Sequence, residues 1–481
     1  MNPSQFPMTS RRRFLTTTGG AILSTSALSY SQTRGSNDTI RVALIGCGGR
    51  GQGLSKQAHG VKGVELVAVC DPDSAHMDKV AGQFEHKVDK IRDYRKLLER
   101  KDVDAVIIAS GNYWHALHMI HAVQAGKDVY VEKPVSWDVF SGAQMAAAVE
   151  KTGRIVQAGT QNRSDKGLIK ALEFIKDGGI GEIKSMYGNC FRNRKSIGKV
   201  GKAISPPSTL DYDLWLGPAQ DQPIMRPSIH YDWHWDFNTG NGDMGNQGPH
   251  ELDLLCLFAG DPDMPTEMYS TGGRFGWHDA GNTANMQTAI FKLGGIPCTF
   301  EVNNMWQTPA KNAAVVYKGT RVGVIVSGEK GEFRGGRGGG YVLGPDGKTR
   351  LEKFPGDAGR GHMQNFFDCV RSRKAEDLNA PIKHSHKSAN LSHFANISMR
   401  ASEEIALENL AAELPQDEML LDCISRQREQ LKVWNVDLAK TRCHVGSKVS
   451  IDPKTGMVSG SDAINAFNET HYRRGYEIPK V

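Results

Sequence analysis

The first third of the chain alternates short apolar runs with longer stretches in which apolar residues recur at helical spacing. The runs are unbroken and rich in β-branched residues, which is typical of strands buried on both faces of a parallel sheet. The predicted strands are 40–45, 64–70, 103–109, 128–131 and 154–159. The predicted helices include 75–85, 94–98, 116–125 and 140–151, with Gly126 and Gly153 closing the last two. This order predicts an α/β domain.

The turn after the first strand carries the pattern G-x-G-x-x-G at Gly46, Gly48 and Gly51. Gly46 permits a tight turn, Gly48 leaves room for a pyrophosphate against the backbone, and Gly51 lets the helix pack close to the sheet. The helix N-terminus then offers free N–H groups to phosphates. Asp71 ends the next strand about 20 residues later, where a carboxylate can hydrogen-bond ribose hydroxyls. We therefore predict that this crossover binds a dinucleotide.

The acid at the end of the second strand also indicates which cofactor binds. A carboxylate at Asp71 would repel the 2′-phosphate of NADP, so NAD is the predicted cofactor and NADP is less favoured. Arg50, inside the glycine turn, could soften that preference.

From about Gln161 the pattern changes to strand-like segments separated by turns. These segments are 183–191, 268–273, 285–292, 296–303, 313–318 and 322–327, followed by a glycine-rich piece, 334–347, that suits a hairpin or surface loop. Amphipathic stretches at 362–373 and 385–407 predict two helices. The stretch 413–481 has weak periodicity and is expected to wrap the domains or form a subunit interface.

Composition excludes several classes of protein. The net charge is +6 and the basic residues are scattered, which is not the footprint of a nucleic-acid-binding protein. The sequence contains no run of about 18 apolar residues, so no membrane-spanning helix is predicted. Eight cysteines occur without a C-x-x-C pair, so neither a disulfide framework nor a cysteine zinc site is predicted. The 481 residues suffice for two or three domains with ample core.

The N-terminus resembles a twin-arginine export signal. Residues 10–15 read S-R-R-R-F-L, and a weakly apolar run rich in Gly, Ser, Thr and Ala follows. Residues 1–31 are therefore predicted to be a signal peptide, with the twin-arginine translocase as partner during export and a periplasmic or otherwise exported location. That route carries folded proteins, which suits a chain that binds its nucleotide before export. The alternative is a basic tail.

Several further blocks resemble the Gfo/Idh/MocA oxidoreductase family, which is named for glucose–fructose oxidoreductase and inositol dehydrogenase. The blocks are DVDAVIIA at 102–109, AGKDVYVEKP at 125–134, GTQNR at 159–163, IGEI at 180–183 and GPHELD at 248–253. The resemblance implies a Rossmann dinucleotide-binding domain at 38–160 and an α+β domain with a mostly antiparallel open sheet at 161–412. Residues 413–481 remain as a C-terminal extension. The family also implies a homodimer or tetramer formed through the open sheet face.

The resemblance places the chemistry on two residues. Lys133 matches the lysine that faces the nicotinamide and the reacting hydroxyl, where an ammonium stabilises the alkoxide as hydride leaves. His250 matches the histidine of the motif D-x-G-x-H-x-x-D and is the expected general base, since the pKa of imidazole lies near working pH. The alternative is a structural histidine that caps the following helix. The motif's first aspartate is Asn246 here, and an amide can orient a neighbour but cannot take a proton.

The other candidate residues follow from their positions. The predicted cofactor-binding residues are Gly46, Gly48, Gly49, Arg50, Gly51, Asp71, Ser110, His115, Glu132 and Lys133. The predicted substrate-binding residues are Gln161, Arg163, Trp233, His234 and Asn246. Aromatic and polar residues alternate in 230–236, which suits a sugar, although a buried aromatic cluster has the same pattern. Histidines in this region could bind a metal, but hydride transfer needs none and no metal is predicted.

The sequence thus predicts an exported NAD-dependent oxidoreductase that transfers hydride between a sugar, polyol or glycoside hydroxyl and a nicotinamide. A second hypothesis rests on resemblance to the NAD-dependent α-N-acetylgalactosaminidases, which oxidise a ring hydroxyl, eliminate the aglycone, add water and return the hydride. Export favours a retained cofactor of this kind, because no free NAD pool exists outside the cytosol. A third hypothesis is a non-catalytic sugar-binding relative, which Asn246 keeps open.

Overall fold

The structure is a computed structural model that describes residues 39–481. The expected signal peptide, 1–31, lies outside the described residues. No helix within 39–481 is long and apolar enough to cross a membrane. Two sheets divide this part of the chain into two domains.

The N-terminal domain is a six-stranded parallel sheet. Its strands are β1 Ile40–Ile45, β2 Val64–Cys70, β3 Asp89–Ile91, β4 Ala105–Ile108, β5 Asp128–Val131 and β6 Val156–Ala158. Its helices are α1 Gly49–His59, α2 Ser74–Ala81, α3 Tyr94–Leu98, α4 Asn112–Gln124 and α5 Val139–Thr152. The strand order β3-β2-β1-β4-β5-β6 is that of a Rossmann fold, so the predicted fold class is confirmed.

The central strand β1 is buried on both faces. Val42 and Leu44 belong to one apolar cluster, and Ala43 and Ile45 to the cluster on the other side of the sheet. This burial explains why the β1 sequence is a continuous apolar run without polar alternation.

The C-terminal domain is built on a twelve-stranded sheet. The chain contributes β7 Ile183–Cys190, β8 Glu267–Gly273, β9 Met286–Leu293, β10 Ile296–Asn303, β11 Trp306–Thr308, β12 Lys311–Ala314, β13 Val322–Gly328, β14 Glu332–Gly336, β15 Gly339–Leu343, β16 Arg350–Pro355, β17 Glu404–Ala406, β18 Arg442–His444, β19 Val449–Ile451 and β20 Val458–Ser459. The sheet order is β16-β15-β14-β13-β7-β10-β9-β8-β18-β17, with β19 joining β8 to β20 and β11–β12 forming a separate hairpin. Only the β7–β10 pair is parallel among the described pairs of this sheet, as predicted for a mostly antiparallel one.

The remaining helices lie against this sheet or between the domains. They are α6 Lys166–Lys176, α7 Tyr212–Leu216, α8 Gly242–Asn246, α9 Gly248–Phe258, α10 His362–Ser372, α11 Ile382–Arg400, α12 Leu410–Glu413, α13 Glu418–Val433 and α14 Asp462–Asn465. Short 3-10 turns occur at Gln161–Ser164, Asp232–Trp235, Ala375–Asp377 and Leu407–Asn409.

Segment 413–481 completes the sheet and covers part of its second face. Phe300 of β10 faces the cluster that contains α9, whereas its neighbour Glu301 faces α13. There Glu301 accepts hydrogen bonds from Arg426 at 2.9 Å and Gln427 at 3.0 Å. The family resemblance implies that an oligomer forms through the open face of this sheet. Helix α13 of the same chain covers part of that face.

Two later segments return to the Rossmann domain. Helix α10 adds Phe366 and Phe367 to the apolar cluster on one face of β1. The C-terminal tail packs Tyr472 and Tyr476 beside the cluster on the other face, and Tyr472 donates a hydrogen bond to Asp138 at the start of α5. The C-terminal segments thus hold the two domains together.

Several predicted elements lie elsewhere in the structure. The helix predicted at 75–85 ends at Ala81, where the Gly82 N–H bonds the Asp78 carbonyl. The helix predicted at 385–407 runs from 382 to 400, since it begins directly after Pro381. The strand predicted at 313–318 is wrong: the strand there is 311–314, set by pairing with β11.

Candidate active site

A cavity of about 590 Å³ lies at the carboxyl ends of β1, β2, β4 and β5, where open α/β sheets bind ligands. The C-terminal domain covers it with the Asp232–Trp235 turn, the end of α8, the start of α9 and the tip of the β14–β15 hairpin. Its volume is within the range of small-molecule and cofactor sites.

The glycine turn forms one wall of the cavity. A Cβ added at Gly48 or Gly49 would meet nothing within 4 Å, so both backbones face open space. A Cβ at Gly51 would lie 2.0 Å from the Gly46 carbonyl oxygen, so Gly51 is needed for helix–strand packing and does not line the cavity. Gly46 has φ +94°, a conformation that favours glycine.

Two features beside this turn fit a dinucleotide. No described side chain caps α1 at Gly48, so the first-turn N–H groups are available to an anion. Asp71 is fixed by the backbone N–H groups of Cys47 at 2.7 Å and Asp73 at 2.8 Å, and it lines the cavity. The remaining lone pairs of this carboxylate suit ribose hydroxyls.

Arg50 lines the cavity but is paired with Glu132 at the end of β5, with Nη2 2.6 Å from Oε1. Gln161 also lines the cavity, and its amide donates to Glu132 Oε1 at 3.1 Å. Glu132 therefore orients these two side chains.

Ser110 and His115 line the cavity from the turn after β4 and the first turn of α4. The His115 ring nitrogens lie 2.7 Å from the Pro134 carbonyl oxygen and 3.0 Å from that of Ser110. Burial lowers the pKa of His115. Its ring thus fixes the β4 turn against the Lys133–Pro134 segment, whose peptide bond is cis.

Lys133 reaches across the cavity to the C-terminal domain. Its ammonium donates to the backbone carbonyl of Asn246 and lies 3.5 Å from the Asn246 side-chain oxygen. Burial lowers the pKa of Lys133, and the neighbouring Glu132 opposes that effect. Asn246 in turn donates to Asp243 at 3.0 Å, which forms a two-bond pair with Arg194. A carboxylate therefore stands one helical turn before Asn246 and fixes its amide.

His250 lines the same cavity, and its Nδ1 is buried without a hydrogen-bond partner among the described residues. Nδ1 itself is enclosed, so a ligand in the cavity would meet another part of this ring. Burial, with the charges of Lys133, Arg50 and Arg337, lowers the pKa of His250 well below its ordinary value of 6.5. The imidazole of His250 is therefore uncharged at neutral pH, and its role as general base stays a prediction.

Trp233 and His234 line the cavity mouth, with ring centroids 3.6 Å apart and nearly parallel. His234 Nδ1 contacts the Tyr231 carbonyl oxygen at 2.5 Å, and burial lowers the pKa of His234 to about 3. Trp233 also meets Tyr113 edge-on at 6.1 Å. These rings form an apolar wall with polar edges, as carbohydrate sites require.

The predicted substrate role of Arg163 is wrong. Its guanidinium lies 2.8 Å from Asp253 and 2.6 Å from Asp261, and it does not line the cavity. Only 7% of its surface is exposed. Arg163 instead ties the 3-10 turn after β6 to α9.

Sequence reasoning missed several cavity residues. They include His76, Asn112, Tyr113, Trp215 and Arg337. His230 Nε2 lies 2.9 Å from Asp73 Oδ2 and so links the roof of the cavity to the Rossmann domain. Asp73, His76 and His230 are the one group with metal-ligand spacing within 39–481, and His234, His250 and Asp253 are not part of it. The turn after β4 and the segment 230–236 were visible in the sequence, whereas Arg337 comes from a distant hairpin.

A Rossmann domain whose nucleotide cavity is roofed by an antiparallel-sheet domain defines a two-domain dinucleotide-binding protein. Two family models match in succession: "Oxidoreductase family, NAD-binding Rossmann fold" over residues 40–160 and "Oxidoreductase family, C-terminal alpha/beta domain" over 193–273. The chain therefore has the NAD-binding Rossmann domain and the C-terminal domain of the Gfo/Idh/MocA oxidoreductase family.

Curated relatives match over the N-terminal part only. An inositol 2-dehydrogenase of Salmonella typhimurium is 33% identical over 152 residues, which cover 31% of this chain and 45% of the relative. A glycosyl hydrolase family 109 protein of Shewanella baltica is 31% identical over 157 residues, which cover 30% of this chain and 34% of the relative. The chain thus spans less than half the length of these relatives.

Solved structures share the fold over most of their length. The WlbA dehydrogenase from Chromobacterium violaceum, in complex with NADH and UDP-GlcNAcA, gives a TM-score of 0.56 at 20% identity and covers 76% of this chain and 95% of that one. A putative NADPH-dependent oxidoreductase from Desulfitobacterium hafniense gives 0.57 at 17% identity, covering 76% and 96%.

Proposed function

We propose that the protein transfers hydride between a hydroxyl-bearing carbon of a carbohydrate, polyol or glycoside and NAD held in this cavity. The observation that carries the proposal is that Lys133 and His250, from different domains, line one cavity with the glycine turn and Asp71. When bound, NAD supplies the hydride acceptor. Gly48, Gly49 and the α1 N-terminus would hold its phosphates and Asp71 its ribose hydroxyls.

Lys133 and His250 would then divide the work on the hydroxyl. The ammonium of Lys133 stabilises negative charge on the reacting oxygen as the carbon loses hydride. The imidazole of His250 accepts a hydrogen bond from the hydroxyl and takes its proton as the carbon loses hydride. Because burial and the nearby ammonium both oppose an imidazolium, His250 is a weak base that first positions the hydroxyl.

Three features support a carbohydrate as the substrate class. Trp233 and His234 give a stacking wall, and the polar groups of Gln161 and Asn246 lie in the same cavity. Among similar proteins are an inositol 2-dehydrogenase and a dehydrogenase bound to UDP-GlcNAcA. Both names refer to polyhydroxylated ligands.

A redox-neutral glycosidase is the second candidate function. The family 109 glycosyl hydrolase relative supports it, as does the cover over the cavity, which the Asp73–His230 contact ties to the Rossmann domain. A roofed cofactor is suited to repeated oxidation and return of one hydride without exchange. We also propose that the twin-arginine pathway exports the protein. Replacing Arg11 and Arg12 by lysine should retain the protein in the cytoplasm, and unchanged export of this variant would contradict the proposed export route.

The deciding experiment uses the purified full chain. Bound nucleotide is released by denaturation and quantified, and the protein is then offered free sugars, polyols and aryl glycosides with and without added NAD. Net NADH formation supports the dehydrogenase, whereas aglycone release without net NADH supports the glycosidase. Sugar binding without either product would leave the third hypothesis, a non-catalytic binder, and would contradict both enzymatic proposals.

A further inference from the structure

The carboxylates around the Lys133 end of the cavity are already neutralised by the protein. Glu132 is paired with Arg50 at 2.6 Å, and Asp243 with Arg194 at 2.8 Å. Burial raises the pKa of Glu251, next to His250, to about 8, so this side chain is largely uncharged at pH 7. These acids therefore leave little negative charge for further cations.

Arg337 adds a positive charge to this cavity. It stands at the tip of the β14–β15 hairpin and lines the cavity. Within the described residues, no carboxylate lies within 4.0 Å of its guanidinium and no hydrogen bond involves its side chain. Arg50, which also lines the cavity, is paired with Glu132, whereas Arg92 at the nucleotide end has no carboxylate within 4.0 Å among the described residues.

The backbone on which Arg337 stands is fixed. The Gly338 N–H donates to Asp165 at 2.9 Å, and the Gly338 carbonyl accepts from the Gly356 N–H at 2.8 Å. A Cβ at Gly336 would approach the Val322 carbonyl oxygen to 2.9 Å, so the hairpin tip also packs closely against β13. The glycine-rich tip is thus anchored, and it presents one cationic side chain to the cavity.

Two other cations near His250 also lack a carboxylate partner among the described residues. Arg192 donates to the amide oxygen of Gln247 at 2.8 Å, and Lys133 contacts only oxygens of Asn246. Lys133 and Arg337 line the cavity together with His250, and Arg192 lies behind them on Gln247 of the same domain. The substrate end of the cavity therefore carries an excess of positive charge.

We propose that the substrate is an acidic carbohydrate and that Arg337 binds its carboxylate. This inference rests on the proposed function and narrows its substrate class to uronic and aldonic acids and their glycosides. A planar guanidinium suits a carboxylate because it offers two parallel N–H donors. Such a group would supply the negative charge that the cavity lacks.

The test compares neutral sugars with their own uronic acids: glucose with glucuronic acid, galactose with galacturonic acid, and mannose with mannuronic acid. Binding to the NAD-loaded full-length protein is measured by calorimetry, and turnover by NADH formation. We expect at least one uronic acid to bind tenfold or more tightly than its neutral partner, and kcat/KM to follow where turnover occurs. Equal or weaker binding of all three acids would overturn the inference, whether or not any sugar is turned over.

The variant Arg337→Gln locates the effect, with Arg321→Gln as the matched control on an exposed arginine of the same domain outside the cavity. Arg337→Gln should weaken uronic acid binding about tenfold and leave neutral-sugar and NAD binding within twofold. An equal loss for acidic and neutral sugars, or a loss of NAD affinity instead, would contradict the assignment. In the wild-type protein, uronic acid binding without NADH formation would contradict the proposed hydride transfer but would still support this subsite.

Discussion

The two ends of the cavity are built in different ways. The nucleotide end comes from one contiguous segment, β1 to β2, and its groups are backbone N–H donors, glycines and one carboxylate fixed by two N–H bonds. The substrate end is assembled from β5, the loop before α8, α9 and the β14–β15 hairpin, and its groups are buried ionisable side chains. The first is specified by backbone shape, and the second by charge placed across a domain boundary.

This difference predicts how each end fails. A backbone site tolerates changes of charge but not an added Cβ, because packed main-chain atoms cannot move apart at low cost. A site of buried charges tolerates changes of volume but not of charge, because each ionised group depends on its neighbours. Substitutions at each end of the cavity distinguish these two behaviours.

The largest effect should come from removing the charge at the substrate end. Lys133→Met keeps the length of the side chain but removes the ammonium, and we expect the rate of hydride transfer to fall about a thousandfold, the scale of losing an electrostatic group at a reacting oxygen. The affinity for NAD should change less than threefold. Single-turnover absorbance at 340 nm and calorimetry measure the two quantities. Full activity in this variant would overturn the site assignment.

The nucleotide end should fail by sterics. An alanine at Gly51 places Cβ 2.0 Å from the Gly46 carbonyl oxygen, so we expect NAD affinity to fall about a hundredfold and the free energy of unfolding to drop by roughly 3 kcal/mol. The control is Gly53→Ala in the same helix, where a Cβ meets nothing within 4 Å and should stabilise by about 1 kcal/mol. Similar behaviour of the two variants in calorimetry and thermal unfolding would show that close packing is not the reason for Gly51.

Glu251 tests the charge balance through stability. Its pKa is raised from 4.5 to about 8 by burial, so its contribution to stability is fully present below pH 4.5 and is lost as pH rises through 8. Glu251→Gln removes this dependence, and the difference in unfolding free energy between variant and wild type should shift in favour of the variant by roughly 3 kcal/mol from pH 5 to pH 8. Denaturant unfolding at the two pH values measures it. A shift near zero would mean that Glu251 is ionised in the folded protein.

The smallest effect concerns the roof over the nucleotide. His230→Ala removes the contact with Asp73, a pair in which the histidine side chain is 34% exposed, so we expect NAD release to accelerate only about fivefold. His278→Ala, an exposed histidine outside the cavity, is the control. Displacement of NAD followed by stopped flow gives the rates. Identical NAD release rates in the two variants would show that the Asp73–His230 contact does not slow cofactor release.

The sequence predicted the nucleotide end better than the substrate end, because the first is built from one contiguous segment and the second from distant segments. The fold class, the glycine turn and the position of Asp71 follow from local pattern, because a strand, a turn and a helix in succession determine one another. Arg163 was misplaced because its neighbours Asp253 and Asp261 lie about a hundred residues away along the chain. No local pattern carries that pairing.

The chemistry of His250 and the position of Arg337 were hidden for a related reason. The motif gave His250 its place, but its low pKa depends on burial and on cations from other segments. Arg337 lay in a glycine-rich piece whose hairpin could be predicted, whereas its contact with the cavity depends on how β13 to β15 extend the sheet. The same contrast holds for the ends of helices and strands. Gly153 ends α5, as the local sequence predicts, whereas the bounds of β12 depend on its pairing with β11.

The central claim is that NAD lies along the first crossover and that Lys133 and His250 meet at its nicotinamide end. A crystal structure of the protein with NAD and a bound sugar tests it directly. We predict phosphates against Gly48 and Gly49, Asp71 on the ribose hydroxyls, and one sugar hydroxyl within hydrogen-bond distance of both Lys133 Nζ and a ring nitrogen of His250. A nucleotide bound elsewhere, or a sugar held beyond the reach of these two side chains, would contradict the account.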